Sequence, residues 1–395
     1  MLSDPSRRHG LVRAPDAAPA PLPNGQTVRA PGAADPSKVR ANELGKDDAL
    51  LTSNCPLPIS THREIVLAHG SGGRLTRQLI ERIVLPEFHN ELLEALHDGA
   101  LFSVNGAKLA FSTDSFVVHP LFFPGGDIGK LAVHGTINDL AMCGAKPLYL
   151  SLGFILEEGL PMDDFRRVVR SIKEAAAEAG VSIVTGDTKV VDRGKGDQMF
   201  INTSGIGMVR DGVNIHPRRA QIGDRILVSG EIAAHGIAIL SVREGLEFES
   251  QIASDTAPLH GLVEAILTAE PDVHVLRDPT RGGVTGVLNE IAEQAQVGIC
   301  LDEAAIPIGE EVKGACEILG LDPLYVANEG KLVAIVPPAS AGLVLAAMRA
   351  HPLGRDAAII GQVENDHPGM VTMKTRVGGL RIVDLPAGEQ LPRIC

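Results

Sequence analysis

The sequence predicts a fold of mixed helices and strands in two domains, placed between an N-terminal extension and a C-terminal tail. The 395 residues suggest two to three domains, and 44% of them are hydrophobic, which is ample material for cores. From about residue 65 the hydrophobic period alternates between that of strands and that of helices. A break at Asp211-Gly212 ends one such series, and a second series follows. We therefore predict an N-terminal domain at 61–211 and a C-terminal domain at 212–385.

Each segment of the two series has a period, a start signal or a stop signal. Asp127 is typical of a helix N-cap, and Gly180 is typical of a helix end. The first series contains a helix carrying Leu75, Leu79 and Ile83 and ended by Pro86, a strand at 108–118, the helix after Asp127, a helix carrying Phe165, Val168, Val169 and Ile172, and strands at 181–191 and 199–209. The second series contains strands at 226–229, 332–336 and 380–385 and helices at 259–269 and 284–294.

The two ends of the chain differ from the rest in composition. Residues 1–60 hold nine of the 26 prolines and no aromatic residue, so they bury too little surface to offset chain entropy. They predict a disordered extension. Residues 386–395 lack periodicity, which predicts a mobile tail. The tail ends in Cys395, whose thiol is then accessible; an accidental terminal cysteine is the alternative.

Composition argues against several classes of protein. The net charge of −13 rules out a uniform positive field for nucleic acid, and the absence of tryptophan argues against a base-stacking surface. Five cysteines without a CxxC pair argue against a disulfide framework and a structural zinc site. The sequence has no run of 18 apolar residues to span a membrane. We expect a protein of the reducing cytoplasm that binds neither nucleic acid nor membrane.

A glycine-rich loop directly precedes the first predicted helix. Gly70, Ser71, Gly72 and Gly73 follow His69 there. Backbone N–H groups at a helix start can face one anion, and the helix dipole adds partial positive charge. The loop therefore predicts a phosphate contact, with a plain helix cap as the alternative.

Several aspartates stand beside turn residues along the chain. Mg²⁺ prefers oxygen ligands and bridges carboxylates to substrate phosphates. Aspartates from several strand ends that converge on one cleft would hold a magnesium nucleotide, whereas each one alone is as well explained as a cap or turn residue. Asp127 is the most typical of a simple cap. The set is Asp98, Asp114, Asp127, Asp139, Asp187 and Asp278.

Two further motifs carry charged residues at turns. The segment 277–283 places Asp278 between Arg277 and Arg281 ahead of a glycine pair, and arginine suits phosphate. Glu329 stands at the entry to a buried strand, where partial desolvation would make it a base. Lys189 lies among valines and must reach solvent or meet an anion. Salt-bridged or exposed turns are the alternatives for the first two.

These motifs occur together in a known order. The chain resembles the HypE family of hydrogenase maturation proteins from about residue 62 to its end, and the residues 1–60 lie outside the resemblance. The matching segments are Thr113–Val118, Phe122–Gly129, His134–Leu140, Thr185–Val191, Ile201–Thr203, Arg277–Gly283, Asn328–Gly330 and the ending Pro392–Cys395. His97–Ala100 matches the first acidic site of the family only loosely, so Asp98 is the least secure assignment.

The resemblance implies a fold and an activity. It implies the α+β, two-domain fold of aminoimidazole ribonucleotide synthetase, selenophosphate synthetase and thiamine-monophosphate kinase, with ATP and Mg²⁺ in the cleft and a homodimer joined through the N-terminal domains. The implied reaction is the ATP-dependent dehydration of a carboxamide on the C-terminal cysteine to a thiocyanate. The implied partners are the HypF carbamoyltransferase, which delivers the carboxamide, and the HypC–HypD complex, which receives cyanide for the iron of [NiFe]-hydrogenase.

The same resemblance assigns roles to residues of this chain. Cys395 carries the substrate group, Glu329 is the first candidate for the base, and Lys189 assists deprotonation or stabilises negative charge. The implied magnesium ligands are Asp98, Asp114, Asp139 and Asp278. The implied ATP contacts are Gly70, Ser71, Gly72, Gly73, Asn138, Asp187, Thr188, Asn202, Arg281 and Gly282. Two other interpretations stay open: a small-molecule kinase or synthetase of the same fold, and a non-enzymatic carrier that presents a thiol.

Overall fold

The computed structural model describes residues 64–246, 252–385 and 393–395. The predicted disordered extension at 1–60 and most of the predicted mobile tail, at 386–392, lie outside the described residues. The ranges 61–211 and 212–385, predicted as domains, contain one large β-sheet each.

The first range begins with a helix and builds a five-stranded sheet. Helix α1 (Arg74–Leu79) continues through a π turn (Ile80–Val84) into α2 (Leu85–Phe88). The strands are β1 (Ala100–Val104), β2 (Ala107–Phe116), the short ribbon β3 (Phe122–Phe123) and β4 (Gly126–Asp127), β5 (Ala145–Glu157), β6 (Ser182–Val191) and β7 (Met199–Val209). The sheet order is β1-β2-β7-β5-β6, with β5 and β6 parallel and the other pairs antiparallel.

Two helices cover one face of this sheet. Helix α3 (Ile128–Met142) packs on β2, β5 and β7, and almost all of its residues are buried. Helix α4 (Met162–Glu178) packs on α3 through Val168 and Ile172. The predicted cap is confirmed, since the carboxylate of Asp127 accepts the N–H groups of Gly129 at 2.8 Å and Lys130 at 3.1 Å.

The second range builds a seven-stranded sheet with five helices. The strands are β8 (Arg225–Val228), β9 (Val275–Arg277), β10 (Gly298–Asp302), β11 (Val333–Val336), β12 (Ala358–Glu364), β13 (Val371–Lys374) and β14 (Leu380–Ile382), in the order β14-β13-β10-β12-β8-β11-β9. The helices are α5 (Ala234–Glu244), α6 (His260–Ala269), α7 (Gly283–Ala295), α8 (Glu310–Leu319) and α9 (Ala341–Ala350).

Several predicted ends differ from the structure; the strand predicted at 108–118, for example, is β2, which ends at Phe116. Pro86 does not end its helix, which runs on to Phe88. The π turn just before Pro86 restarts the helical hydrogen-bond pattern, so a missing N–H is tolerated there as at a first turn. The last strand is shorter than the predicted 380–385. It ends at Ile382, and its residues are exposed.

A shared hydrophobic core places the two sheets around one junction. One cluster of buried side chains includes Ile128 and Ile137 from α3 together with Ile237 from α5 and Val284 from α7. Strand β9 runs antiparallel to β11, so the residue after β9 lies near the start of β11. Functional side chains from both ranges therefore meet beside α3.

In the part of the chain that the structure describes, every helix is too short or too polar to cross a lipid bilayer.

Candidate active site

Acidic side chains from both ranges meet at the junction beside α3. Asp114 comes from β2 and Asp139 from α3, while Asp278 follows β9 and Glu329 precedes β11. Asp114 and Asp278 raise the pKa of other acids in the group. Asp278 is 6% exposed and Glu329 is 3% exposed, so much of this negative charge lies away from water. The structure thus brings together acids that span 215 sequence positions, from Asp114 to Glu329.

Asp139 stands at the centre of the group. Loss of hydration and the charges of Asp278, Asp114 and Asp98 raise the pKa of Asp139 well above its usual range. Ser112 partly offsets this, because its hydroxyl lies 2.6 Å from Asp139 Oδ2. Repulsion of this kind favours a bound cation or a bound proton.

Asp98 has a different environment from the other aspartates. Its Oδ1 lies 2.6 Å from Nε of Arg277, whose other arm lies 2.9 Å from Glu290. The charge of Asp98 is therefore already balanced by a buried guanidinium. Among the predicted magnesium ligands, Asp98 is the one whose carboxylate already forms an ion pair with a cationic side chain.

A magnesium ion fits this group in one particular way. Among the residues described, no three His, Cys, Asp or Glu side chains converge closely enough to hold an ion by themselves. Mg²⁺ in nucleotide sites usually takes one or two carboxylates and completes its shell with phosphate oxygens and water. Asp114 and Asp278 both raise the pKa of Asp139, so these three carboxylates repel one another. Crowded carboxylates of this kind suit a magnesium nucleotide rather than a preformed metal cage.

The pH dependence of stability should report this crowding. Burial and Asp98 raise the pKa of Asp278 to about 8. As pH rises from the unfolded value near 4 towards 8, the unfolded chain loses this proton and the folded chain keeps it, so the free energy of unfolding falls. In nucleotide-free protein without Mg²⁺, the free energy of unfolding of the wild type should fall between pH 5 and pH 8, and Asp278→Asn should reduce that fall by roughly 1–5 kcal/mol. Denaturant unfolding at both pH values measures it.

A matched control is available for this prediction. Asp163→Asn removes a carboxylate that is 91% exposed and should leave the pH dependence unchanged. Equal pH dependence of unfolding in the wild type and Asp278→Asn would contradict a raised pKa of Asp278.

The two glycine stretches predicted to bind phosphate contact each other. A Cβ on Gly72, whose φ is +76°, would lie 2.7 Å from Cβ of Arg281, and one on Gly282 would lie 3.1 Å from the Gly72 carbonyl oxygen. Arg281 also donates to the Gly70 carbonyl at 3.0 Å. The N–H of Gly72 is occupied, because it donates to Thr76 Oγ1 at 3.0 Å. The Ser71 N–H is occupied as well, by the Ala68 carbonyl at 3.5 Å, so two of the predicted anion-binding amides already have partners.

Asn138 has a different part from the predicted phosphate contact. Its side-chain NH₂ donates to the carbonyls of Ala257 at 3.1 Å and Glu329 at 3.3 Å, and its oxygen accepts the Leu259 N–H at 2.8 Å. Asn138 is 1% exposed, and its side-chain amide is hydrogen-bonded to backbone groups. The phosphate contact of Asn138 stays a prediction; in this structure Asn138 positions the segment that carries Glu329.

Asn202 contacts the backbone of Asp114, but its side chain lies on the face of the sheet that carries Asp187 and Lys189. The side chain of Asn202 donates to the Asp114 carbonyl at 2.9 Å. Asn202 pairs with Ser115 and Gly153, and Gly153 pairs with Asp187, so these residues share one face of the sheet. Asp114 points to the opposite face, which α3 covers.

Lys189 shares the face of Asp187 because it lies two residues further along β6. Its Nζ lies 2.6 Å from Asp187 Oδ2, and both side chains are more than two-thirds exposed. Thr188, between them, is also exposed on this outer strand. Three strand spacings, about 14 Å, separate β6 from β2. Within one chain the structure therefore does not bring Lys189, Asp187 or Thr188 to the acidic group.

The end of the chain lies at the acidic group. Burial raises the pKa of the Cys395 thiol, as do Glu329, Asp114 and Asp278, while Arg281 opposes them. The Cys395 carbonyl accepts the Val117 N–H at 3.1 Å. The sequence predicted an accessible thiol on a mobile tail. In the structure the last three residues are instead docked at the acidic group.

Two residues without a role assigned from the sequence hold the segment of Glu329 in place. Asp255 accepts the Glu329 N–H at 3.1 Å and lies 3.6 Å from Lys331. Asn328 donates to the Pro279 carbonyl at 2.9 Å and accepts the Ala233 N–H at 2.7 Å. A signal for Asp255 was present, because Asp255 stands between two hydroxyl residues just as Asp114 does.

Comparisons with known proteins agree with this architecture. Residues 96–209 match the family "AIR synthase related protein, N-terminal domain", and residues 221–374 match its C-terminal domain. Carbamoyl dehydratase HypE of Cupriavidus necator is 58% identical over 341 residues, which is 86% of this chain and 97% of that protein.

Solved structures give the same result. A chain from a HypE–HypF complex superposes with a TM-score of 0.75 at 51% identity, covering 78% of this chain and 99% of that one. A HypE solved in complex with ATP superposes with a TM-score of 0.71 at 51% identity, covering 84% of this chain and 100% of that one.

Proposed function

The chain belongs to the HypE family of carbamoyl dehydratases, and from this premise we propose how its own residues carry the reaction. The enzyme uses ATP to dehydrate a carboxamide on its C-terminal Cys395, leaving a thiocyanate that supplies cyanide for the iron of [NiFe]-hydrogenase. The observation that carries the proposal is that the Cys395 thiol lies close enough to Arg281 and to the acidic group that includes Glu329 for their charges to shift its pKa.

The reaction needs a leaving group and a base. Oxide leaves a primary amide poorly, so the γ-phosphoryl group of ATP is transferred to the carboxamide oxygen and ADP departs. The nitrogen then loses both protons as the carbon–oxygen bond breaks, which yields the nitrile and inorganic phosphate. Positioning and charge neutralisation dominate phosphoryl transfer, whereas the loss of protons needs a placed base.

Phosphate binding falls to the glycine stretches, Arg281 and the aspartates. Asp114, Asp139 and Asp278 would hold Mg²⁺ with the phosphates of ATP, because Asp98 is already paired with Arg277. The bound ion neutralises phosphate charge. Arg281 faces Cys395, Asp114 and Glu329 at once, so it suits the developing charge on the transferred group.

Asp114→Asn tests the magnesium assignment. Asn keeps the size of the side chain and removes one ligand charge, so the fold should persist while ATP consumption on the carbamoylated protein falls at least about 100-fold. ADP release measures the effect. Asp163→Asn is the matched control and should behave as wild type. Unchanged ADP release from folded Asp114→Asn would remove Asp114 from the site.

Glu329 is the proposed base. It is buried beside the thiol, and its Oε1 accepts no hydrogen bond from the residues described. Asp255 and Asn138 hold the backbone of Glu329 from two sides. Lys189 stays a proposal of lower rank, since within one chain it lies on the outer strand and pairs with Asp187.

HypF is the proposed donor of the carboxamide, supported by a relative 51% identical that was solved in a HypE–HypF complex. The HypC–HypD complex is the proposed acceptor of cyanide. Both transfers require the thiol to leave the acidic group, so the docked position of Cys395 is proposed as one of two states.

A homodimer is proposed through the uncovered face and outer strand of the first sheet. Tyr149 and Ile155 of β5 are 51% and 46% exposed, and Val184 and Val190 of β6 are 59% and 67% exposed. Apolar side chains exposed on this face and along the outer strand mark an interaction surface, and among the described residues β6 adds unpaired backbone groups at its edge.

Light scattering on residues 62–395 should give the mass of two chains at tens of micromolar. Val190→Lys should yield the mass of one, while Ile318→Lys, which alters an apolar residue 77% exposed in the other range, should not. A single-chain mass for the unaltered protein would contradict the homodimer.

A further inference from the structure

The last three residues form a short continuation of the first sheet. The Val117 N–H donates to the Cys395 carbonyl at 3.1 Å, and the His119 N–H donates to the Arg393 carbonyl at 3.2 Å. The tail thus runs antiparallel to the segment that follows β2. Backbone pairing of this kind holds any sequence, so selectivity must come from side chains.

Two side chains of α5 also bind carbonyls of the tail. Arg243 donates to the carbonyls of Arg393 at 2.7 Å and His119 at 2.8 Å, and so bridges both strands. Nε2 of His235 lies 2.7 Å from the Ile394 carbonyl, and its Nδ1 lies 2.8 Å from Ser254 Oγ. Because a carbonyl only accepts, Nε2 carries the hydrogen and the Ser254 hydroxyl donates to Nδ1.

The side chains of the tail are also bound. Ile394 is 4% exposed and belongs to the main hydrophobic cluster. Arg393 forms an ion pair with Asp197, which lies in the connection between β6 and β7. Asp197 also lies 3.6 Å from His119 Nδ1. Every residue of the described tail therefore has its own partner.

We propose that Asp197, His235 and Arg243 form a docking site for the last three residues, and that the Asp197–Arg393 ion pair fixes their register. The proposal rests on the proposed function, because it names what positions Cys395 between Arg281 and Glu329. Slippage by two residues would keep the backbone pairing and the face of each side chain, yet move the thiol by about 7 Å. Arg393 and Arg243 act as positioning residues, not as catalytic ones.

A charge reversal tests the register. The variants are Asp197→Arg, Arg393→Asp and the double variant. The first readout is the rate at which iodoacetamide alkylates Cys395, followed by the mass of the tail peptide in protein without the carboxamide. The second is the single-turnover rate of water loss from the carbamoylated tail with ATP.

Each single variant should raise the alkylation rate and slow water loss at least about tenfold, while HypF loads the tail at least as fast as in the wild type. The double variant should recover most of both rates, which a merely structural role would not produce. Arg243→Ala should resemble the single variants. Arg210→Ala, which removes an exposed arginine paired with Glu264, is the matched control and should change neither rate.

Unchanged alkylation and water loss in the single variants, or no recovery in a folded double variant, would overturn the docking site. The alkylation arm does not involve ATP or the carboxamide. If the wild type never loses water while alkylation still responds to charge reversal, the proposed function fails and the docking site stands.

Discussion

Glu329→Gln should leave the protein loaded with a carboxamide that it cannot dehydrate. The substitution keeps shape and burial but removes the base, and a placed base contributes about 10²–10⁴-fold to such steps. Loading by HypF should persist, because it takes place at the thiol without this carboxylate. The single-turnover rate of water loss from the tail is the measurement, and Glu264→Gln, on an exposed surface, is the matched control.

The pH profile separates loss of a base from loss of packing. Burial and the charges of Asp278 and Asp114 raise the pKa of Glu329 well above its usual range. The ionised base is then populated only as pH rises through that raised pKa, so the wild-type rate should climb with pH and the residual rate of Glu329→Gln should not. Glu329→Gln also removes an acid that its acidic neighbours disfavour, so the free energy of unfolding of the variant should equal or exceed that of the wild type at neutral pH. A rate within threefold of wild type would contradict the role of Glu329.

Cys395→Ala should abolish acceptance of the carboxamide completely while nucleotide binding persists. No other thiol takes its position: in the described part of the chain, Cys143 and Cys316 are buried within cores and Cys300 lies on β10. Removing a side chain at the chain end also leaves the large buried clusters intact. Intact mass after incubation with HypF measures acceptance, and Cys300→Ala is the matched control.

The same variant distinguishes the alternatives left open by the sequence. A small-molecule kinase or synthetase would keep its turnover in Cys395→Ala. A non-enzymatic carrier would lose loading, yet its wild type would consume no ATP on carbamoylation. Loading of Cys395→Ala at the wild-type level would contradict the account outright.

Local signals in the sequence predicted much of the fold and part of the site. The cap at Asp127, the helix end at Gly180 and the strands at 181–191 and 199–209 depend on neighbouring residues, and all of these predictions were accurate. The acids also stand at predictable turns. Their convergence follows from the antiparallel pairing of β9 with β11 and from α3 lying beside β9, which no local pattern records.

The features that the sequence did not reveal depend on contacts between distant positions. Asn138 was expected at phosphate, but its partners lie more than 100 residues away at Ala257, Leu259 and Glu329. Lys189 was placed in the correct strand, yet period two alone does not reveal which face of a sheet meets the site. The tail has no periodicity, so its docking on Val117, His235 and Arg243 was not visible in the sequence.

The central claim is that this chain dehydrates the carboxamide on its own last residue at the expense of ATP. The most direct measurement is the mass of the tail peptide over time, with ADP followed in parallel, after incubation with HypF, carbamoyl phosphate and ATP. The account predicts that Cys395 first gains one carbamoyl group and then loses one water, with one ADP formed for each water lost. A carbamoyl adduct that persists unchanged on folded protein while ATP is present would contradict it.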